Sequence, residues 1–317
     1  MEPEIGLDTI LRCLRWSGCV RSHLNDKEIV QWFLQLSFSR EKCHFGHNVR
    51  IPVLVCPASR YNMAFLQPRS SMSRYSVPPK SLLRKVGRAI ADYALIRDGD
   101  RILLGVSGGK DSLSLLQILA HLQTYAPVRF ELAILTVDPE VDGFDPSPLT
   151  RYYDELGLPW HYVRQPILEE AKERMSGDSF CAYCARMKRG IMYSSCREHG
   201  YNVLALAQHL DDLAESFLMS AFHGGQLRTM KAHYRNDAGD IRIIRPLVYV
   251  REAQTAAFAA GAKLPVIPDS CPACFTMPTQ REHMKQLLAR EEKTNKQLFS
   301  SLLHAMRPLM TEGSLPK

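Results

Sequence analysis

The fold of this 317-residue chain is decided by the stretch Val106-Ser107-Gly108-Gly109-Lys110-Asp111-Ser112. It lies between an apolar run over residues 102–106 and a helix-like run over residues 113–122, so the pattern predicts a strand, a tight loop and a helix start. Two adjacent glycines let the backbone approach an anion closely, and the first helical turn offers N–H groups at the positive end of its dipole. Lys110 adds a positive charge, so the residues from Ser107 to Ser112 are predicted to bind phosphate groups, namely Ser107, Gly108, Gly109, Lys110, Asp111 and Ser112.

The order of residues in this loop separates it from a Walker A loop. A Walker A loop needs Gly-Lys followed at once by Ser or Thr, which binds the metal at the β- and γ-phosphates, whereas Asp111 intervenes here. Ser-Gly-Gly-Lys-Asp-Ser resembles the pyrophosphatase-loop (PP-loop) motif of enzymes that split ATP between its α- and β-phosphates and adenylate a substrate. The alternative is a plain surface turn, which the flanking strand and helix patterns disfavour.

Outward from the loop, apolar runs alternate with helical patterns, which indicates βαβ units and a parallel sheet. Strands are predicted at residues 102–106, 130–137, 160–163, 203–207 and 241–246, and helices at residues 80–96, 113–122, 149–156, 167–175, 251–260 and 279–306. Ligands of such sheets bind beyond the carboxyl ends of the strands. Asp138 lies at that edge, where it is predicted either to contact adenosine or merely to terminate its strand. Around Arg228, Lys231 and Arg235 we expect a flexible, basic segment.

Bulk composition allows a large hydrophobic core and gives weak evidence about partners. Hydrophobic residues make up 45% of the chain, and no run approaches the roughly 18 apolar residues of a membrane span, so we expect a soluble, cytoplasmic protein without a membrane partner. The net charge is +7, but residues 1–75 hold 10 Lys and Arg against 6 Asp and Glu. Evidence for an RNA partner must therefore come from local patches. We expect residues 1–75 to be an amino-terminal extension, residues 76–310 the domain that performs the chemistry, and residues 311–317 a short tail.

The nine cysteines, in a chain without a secretory signal, are predicted to be thiols or metal ligands rather than disulfides. Four of them form two C-x-x-C pairs, Cys181 with Cys184 and Cys271 with Cys274. Two thiolates three residues apart can chelate one metal or one cluster, and a helix start lowers their pKa; a redox pair is the alternative. The other five are expected to be small buried hydrophobes or incidental, namely Cys13, Cys19, Cys43, Cys56 and Cys196.

A polar group follows the strand predicted at residues 203–207, and it contains His209, Asp211 and Asp212. The two aspartates begin a helix, where acidic residues are favourable in the first turn. Beside an ATP site, the same acids together with Asp111 would hold Mg²⁺. The sequence leaves both interpretations open, and it predicts that His209 belongs to the nucleotide site.

Taken together, residues from about 80 to 310 resemble the tRNA 2-thiocytidine synthetase family (TtcA), PP-loop enzymes that replace an oxygen by sulfur in cytidine 32 of tRNA. The resemblance is carried, in order along the chain, by Ala89 to Asp92, Gly99 to Arg101, Ser107 to Ser112, Cys181 to Cys184, Arg189 to Ile191, His209 to Asp212, Gly224-Gly225, Ile244 to Leu247 and Pro265 to Cys274. The chain departs from the family's usual Gly-His-His with Ala207-Gln208-His209, and from Gln-Thr with Glu215-Ser216. Both departures keep His209 and the two aspartates.

The resemblance implies an α/β fold of the adenine nucleotide α-hydrolase-like (PP-loop, HUP) type, a parallel sheet with helices on both faces. It implies ATP, Mg²⁺ and a [4Fe–4S] cluster as cofactors, with the cluster held by Cys181, Cys184 and Cys274, one iron left open, and Cys271 nearby but not a usual ligand. The implied partners are tRNA, a sulfur donor such as a cysteine desulfurase, and a second copy of the chain in a homodimer.

The implied reaction is sulfur transfer to C2 of the cytidine. ATP adenylates the C2 oxygen, Lys110 and the loop amides stabilise the departing pyrophosphate, and Asp111 with Asp211 or Asp212 holds Mg²⁺. Sulfide then displaces AMP, so the predicted catalytic residues are Lys110, Asp111 and Cys274. Two alternatives remain: a related cluster-dependent enzyme that makes 2-thiouridine, and a non-catalytic RNA-binding protein whose two C-x-x-C pairs close a structural zinc site.

Overall fold

The computed structural model describes residues 41–42, 52–53, 75–141, 143–167, 169–170, 180–267 and 279–311. The chain divides into two compact units, Met1–Ser70 and Ser71–Lys317. In the first unit, the described residues form a two-stranded antiparallel ladder of β1 (Glu41–Lys42) and β2 (Pro52–Val53). The domain boundaries predicted at residues 75 and 310 stay a prediction.

The second unit is built on a six-stranded sheet. Its strands are β3 (Asp100–Gly105), β4 (Phe130–Asp138), β5 (Trp160–Arg164), β6 (Val203–Ala205), β7 (His233–Arg235) and β8 (Arg242–Ile244). Their order across the sheet is β5-β4-β3-β6-β8-β7, and all neighbours are parallel except β7, which pairs antiparallel with β8. The predicted parallel sheet is confirmed, with one antiparallel edge strand that the sequence did not predict.

The helices of the described residues are α1 (Lys80–Tyr93), α2 (Lys110–Tyr125), α3 (Ser147–Leu156), α4 (Phe180–His199), α5 (Leu210–Gly224), α6 (Glu252–Gly261), α7 (Gln280–Thr294) and α8 (Leu298–Met306). The single helical region predicted over residues 279–306 is two helices, because Asn295 leaves the helical conformation with φ −114° and ψ 94°. The helix predicted at residues 167–175 falls largely outside the described residues. No helix of the described part combines the length and the apolar composition that a membrane crossing requires.

The sheet is covered by helices on both faces. Side chains alternate along β3, so Ile102 and Leu104 join one hydrophobic cluster and Leu103 joins the other. Buried residues of α1, α2, α3, α5, α6, α7 and α8 complete the first cluster, and α4 contributes the buried Cys196 to the second. This arrangement confirms the predicted fold class and the predicted burial of Cys196.

Three strands end one or two residues earlier than the apolar runs predicted. The residues beyond them still bond across the sheet: the Val106 N–H donates to the Leu135 carbonyl (2.8 Å), Leu206 to Ile244 (2.9 Å) and Arg245 to Ala232 (2.9 Å). At these points the chain leaves the ladder at the carboxyl edge, where ligands of parallel sheets bind.

The prediction of a flexible segment near Arg235 is wrong in part. Residues 233–235 form β7, which is paired through its backbone with β8. Since none of the three is a Val, Ile or Leu, no apolar run signalled the strand; its stability comes from pairing with a strand that follows later in the chain.

Candidate active site

The loop between β3 and α2, which is predicted to bind phosphate and is called the phosphate loop below, makes a tight turn at Gly108. Gly108 has a φ of +86°, in the region that favours glycine, whereas Gly109 is extended with φ −73°. The Ser112 hydroxyl donates to the Gly109 carbonyl (2.9 Å) and accepts from the Ser107 N–H (3.3 Å), which closes the loop on itself. Gly109 is the N-cap of α2 and makes no side-chain cap, so the first turn of a 16-residue helix is left for an anion.

Lys110 stands at the start of α2 between two carboxylates. Its Nζ lies 3.0 Å from Asp111 and 2.9 Å from Glu252, at the start of α6. Burial acts to lower the pKa of Lys110, but the hydrogen bonds and charges of Glu252 and Asp111 outweigh it and raise the pKa above its usual value. Lys110 therefore keeps its positive charge beside the loop, and Glu252 is a site residue that the sequence did not predict.

Glu252 is the centre of this charge network. Lys285 of α7 approaches the Glu252 carboxylate to 2.8 Å and, like Lys110, donates to its Oε1. Burial would raise the pKa of Glu252, but the hydrogen bonds from Lys285 and Lys110 dominate and lower it to about 2. The only sequence signal for Glu252 was an acidic residue in the first turn of a predicted helix, which is common and carries no functional information.

Asp111 and Asp212 face a common cavity, whereas Asp211 does not. The Asp111 carboxylate accepts a hydrogen bond from Thr255 and lies 3.7 Å from His209 Nε2. Asp212 forms a capping box with His209: its carboxylate accepts from the His209 N–H (3.0 Å), and His209 Nδ1 accepts from the Asp212 N–H (3.3 Å). His209 is buried, so it fixes the start of α5 beside Asp111.

Asp211 is occupied by the start of α6. Its carboxylate accepts from Arg251 Nε at 3.1 and 3.2 Å and from the Glu252 N–H at 2.8 Å. Of the three aspartates, Asp111 and Asp212 line the cavity; the predicted Mg²⁺ site stays a prediction. No three His, Cys, Asp or Glu side chains in the described ranges form a metal site by themselves.

Asp138 lies at the end of β4, as predicted, but its carboxylate already has partners. It accepts hydrogen bonds from Tyr162 and from the Glu140 N–H (2.8 Å), and Arg164 lies at 3.6 Å. The neighbouring Val137, not Asp138, lines the cavity. A contact with adenosine stays a prediction.

The cavity has a volume of about 490 Å³ and joins the loop to the helix that carries the first cysteine pair. From the loop and β3 come Gly105, Val106, Ser107, Gly109, Asp111 and Ser112; from α4 come Ala185, Lys188, Arg189 and Met192; from the ends of β6 and β8 come Gln208 and Arg245; from α7 comes Arg281. The residues predicted to bind phosphate therefore share one cavity with the basic residues Lys188, Arg189, Arg245 and Arg281.

Cys184 is half-buried in α4, directly before the cavity residue Ala185. The backbone of Cys181 belongs to the same helix, three residues earlier. The assignment of Cys181 and Cys184 as cluster ligands stays a prediction.

The side chain of Cys181 and the whole of Cys271 and Cys274 lie outside the described residues. The residues that flank the second pair are described and lie at the site. The Ile267 N–H donates to the Gly108 carbonyl (3.1 Å), and Arg281 lies 3.5 Å from Asp212. Described residues on either side of the second pair thus contact the loop at Gly108 and the cavity residue Asp212.

The fold and the loop define the class of this protein. A sequence model described as the PP-loop domain matches residues 79–291, which is more than half of the chain. The chain is therefore a PP-loop protein of the ATP-binding type.

Curated relatives define the family within that class. The chain is 43% identical over 228 residues to the tRNA-cytidine(32) 2-sulfurtransferase of Geobacter sulfurreducens, a match that covers 72% of this chain and 89% of that protein. It is 42% identical over 222 residues to the protein of the same name from Geobacter metallireducens, covering 70% and 86%. The chain belongs to the tRNA-cytidine(32) 2-sulfurtransferase family of transferases, which confirms the resemblance seen in the sequence.

Among solved structures, the chain is similar to the U34-tRNA thiolase NcsA from Methanococcus maripaludis with its [4Fe–4S] cluster. The TM-score is 0.63 at 20% sequence identity, and the match covers 74% of this chain and 79% of that chain. At that identity the similarity supports the PP-loop fold.

Proposed function

We propose that this protein is an ATP-dependent sulfurtransferase that converts cytidine 32 of tRNA to 2-thiocytidine. The observation that carries the proposal is the shared cavity: Ser107 and Asp111 of the phosphate loop line it together with Ala185, the residue after Cys184. A site that activates an oxygen and a site that delivers sulfur must meet at one carbon atom, and a cavity lined from both elements supports such a meeting. The tRNA substrate comes from the named relatives.

The phosphate loop supplies the activating half. The first-turn amides of α2 and Lys110 bind the β- and γ-phosphates of ATP, while the C2 oxygen of cytosine attacks the α-phosphorus and pyrophosphate departs. These donors are fixed before the reaction, so they stabilise the charge that develops on pyrophosphate without reorganisation. Asp111 and Asp212 would hold Mg²⁺, which would offset the negative charge of the phosphates, and His209 keeps Asp111 and Asp212 in place. Asp138 contacts the adenosine.

Cys181, Cys184 and Cys274 form the sulfur half as ligands of a [4Fe–4S] cluster. A cluster bound by three thiolates would supply one iron without a protein ligand, where sulfur can be carried. Lys188 and Arg189 of α4 hold the anionic tRNA and its adenylated base in the cavity. Sulfide replaces the adenylated oxygen at C2, and AMP leaves with that oxygen. A cysteine desulfurase provides the sulfur, and the active form is a homodimer.

Mass spectrometry of tRNA nucleosides tests the reaction and the base together. A strain that lacks the gene should lack 2-thiocytidine, and the wild-type gene should restore it. A gene encoding Lys110→Ala should not restore it, because the variant lacks the charge that stabilises pyrophosphate. If the protein restored 2-thiouridine instead of 2-thiocytidine, the modified base would be uridine and the proposed substrate would be wrong.

Iron analysis of anaerobically purified protein tests the cysteine assignment. We expect about four irons per chain, loss of iron and activity in Cys274→Ser, and retention of both in Cys271→Ser, which is the matched control. A colourless protein with stoichiometric zinc would instead indicate a non-catalytic RNA-binding protein.

A further inference from the structure

A buried cation lies in the wall of the cavity. Arg245, at the end of β8, is 6% exposed. Its Nε donates to Gln208 Oε1 (2.8 Å), its Nη1 donates to the Lys231 carbonyl (2.6 Å), and its guanidinium carbon lies 5.3 Å from the centre of the Tyr234 ring. Across the part of the chain that the structure describes, no carboxylate lies within ion-pair distance of Arg245.

This arrangement is unusual for a buried charge. Buried cations normally have an anionic partner, since desolvation of an unpaired charge is costly. Burial lowers the pKa of Arg245, and the nearby charge of Arg189 acts in the same direction, yet a guanidinium keeps its proton in proteins. The acceptors around Arg245, which include the Tyr234 hydroxyl, are neutral, and Arg245 is one of the residues that line the cavity.

Arg245 also determines which way Gln208 points its amide. A guanidinium has only donors, so the oxygen of Gln208 faces Arg245 and the NH₂ group is directed elsewhere. Gln208 is half-buried and lines the same cavity. It therefore presents a hydrogen-bond donor in a fixed orientation.

The sheet order assigns this donor to one side of the site. β6 and β8, which are followed in the chain by Gln208 and Arg245, lie on one side of β3, whereas β4, which ends at Asp138, lies on the other. If adenosine occupies the β4 side, the base to be modified occupies the β6 and β8 side. Gln208 then faces the base.

We propose that Gln208, positioned by Arg245, donates a hydrogen bond to N3 of the target cytosine and thereby selects cytosine over uracil. This inference rests on the proposed function. The C2 oxygen is the reacting atom, so N3 is the acceptor left beside C2. Cytosine N3 accepts a hydrogen bond, whereas uracil N3 carries a hydrogen and would face the NH₂ group of Gln208 as a second donor. A site built to hydrogen-bond one partner discriminates strongly, because the mismatch leaves buried polar groups unpaired.

The test compares two tRNA transcripts that differ only in having C or U at position 32, with kcat/KM for thiolation measured on each. The wild type should prefer C32. In Gln208→Glu a carboxylate oxygen replaces the NH₂ group; it cannot donate to cytosine N3 but accepts from uracil N3–H. The C32-to-U32 preference should fall by about 100-fold or more, while ATP affinity stays within about twofold. The matched control is Gln226→Glu, an exposed position on the loop after α5, which should keep the wild-type preference.

Two further measurements keep the inference falsifiable. If Gln208→Glu loses activity on both transcripts, the test uses Gln208→Met, which removes the donor without adding charge. A wild-type preference for C32 in Gln208→Met overturns the inference. Gln208→Glu also gives Arg245 an anionic partner, so its melting temperature should rise by roughly 2–4 °C, and a fall would contradict the argument from the unpaired charge. If wild-type protein thiolates neither transcript, or only U32, the proposed function itself fails. If it thiolates C32 and both Gln208 variants keep the preference, only the inference fails.

Discussion

Gly108→Ala tests whether one backbone conformation holds the phosphate loop. Gly108 has a φ of +86°, and a Cβ added there would lie 2.3 Å from Ile267 Cγ1 and 2.5 Å from Ile267 Cδ1. The same residue accepts the Ile267 N–H at 3.1 Å. The substitution therefore strains the loop and pushes away the residue that leads to the second cysteine pair.

The expected cost follows from these two effects. A left-handed conformation costs a residue with a Cβ about 1–2 kcal/mol, and displacement of a packed side chain costs about 1–3 kcal/mol. We therefore expect Gly108→Ala to lower the free energy of unfolding by about 2–5 kcal/mol. ATP affinity should fall as well, because the loop must shift to relieve the contact.

Urea unfolding of the full chain, with ATP titration of the same samples, measures both effects. Two glycines serve as controls. Gly109 has an ordinary φ and would place its Cβ 3.4 Å from Ser107 Oγ, and Gly87, within α1, would meet nothing within 4 Å. Gly109→Ala should cost no more than about 1 kcal/mol, and Gly87→Ala should stabilise by about 0.5–1 kcal/mol. Equal stabilities for Gly108→Ala and Gly109→Ala would refute the reasoning.

Three further substitutions test the charges around the cavity. The pKa of Glu252 is lowered from an ordinary value of 4.5 to about 2, because the hydrogen bonds from Lys285 and Lys110 outweigh the effect of burial. The stability that this carboxylate contributes is present above pH 4.5 and is lost as the pH falls through about 2. In a series of thermal melts, Glu252→Gln should therefore lose less stability over this pH range than the wild type. Burial raises the pKa of Glu215 from its ordinary value of 4.5 to about 7. The free energy of unfolding should therefore decrease as the pH rises from 4.5 to 7, and Glu215→Gln should remove that decrease in the same melts. Asp211→Asn should lower the free energy of unfolding by about 1–2 kcal/mol in urea and leave Mg²⁺–ATP affinity unchanged, because its oxygens hold the start of α6.

Matched variants control these three experiments. Glu291→Gln changes an exposed glutamate of α7 and should leave both pH profiles as in the wild type. Asp212→Asn changes the neighbouring carboxylate that lines the cavity and should weaken Mg²⁺–ATP binding. The assignment of Asp211 would be wrong if Asp211→Asn weakened Mg²⁺–ATP binding and left stability unchanged.

Much of the fold was predictable because its signals are local. The strands β3 and β4 contain apolar runs that the covered sheet buries, the edge strand β5 contains the aromatic residues Trp160 and Tyr162, and the helix that begins at Lys110 keeps residues 112–120 buried. Gly108 and Gly109 marked the loop, although only Gly108 needs the special conformation. β7 could not be predicted, because its stability comes from pairing with β8 rather than from its own residues.

The site was predictable only in part. The sequence predicted Lys110, Asp111, His209 and Asp212 as site residues, and the structure places all four side by side. It treated Asp211 and Asp212 alike, yet they differ, because the start of α6 packs beside only one of them.

The sequence by itself determined the phosphate loop, the alternation of strands and helices, the two cysteine pairs and the family, since each depends on the order of neighbouring residues. Only the tertiary structure decided that Glu252 holds Lys110 and that Arg245 orients Gln208. The members of these pairs are separated by 142 and 37 residues. Their contacts arise where strand ends and helix starts meet at one edge of the sheet. Side-chain charge and burial at such a meeting point depend on packing, which no single stretch of the chain contains. The loop sequence thus predicted where a nucleotide binds, and the packing around the loop decided which charges surround it.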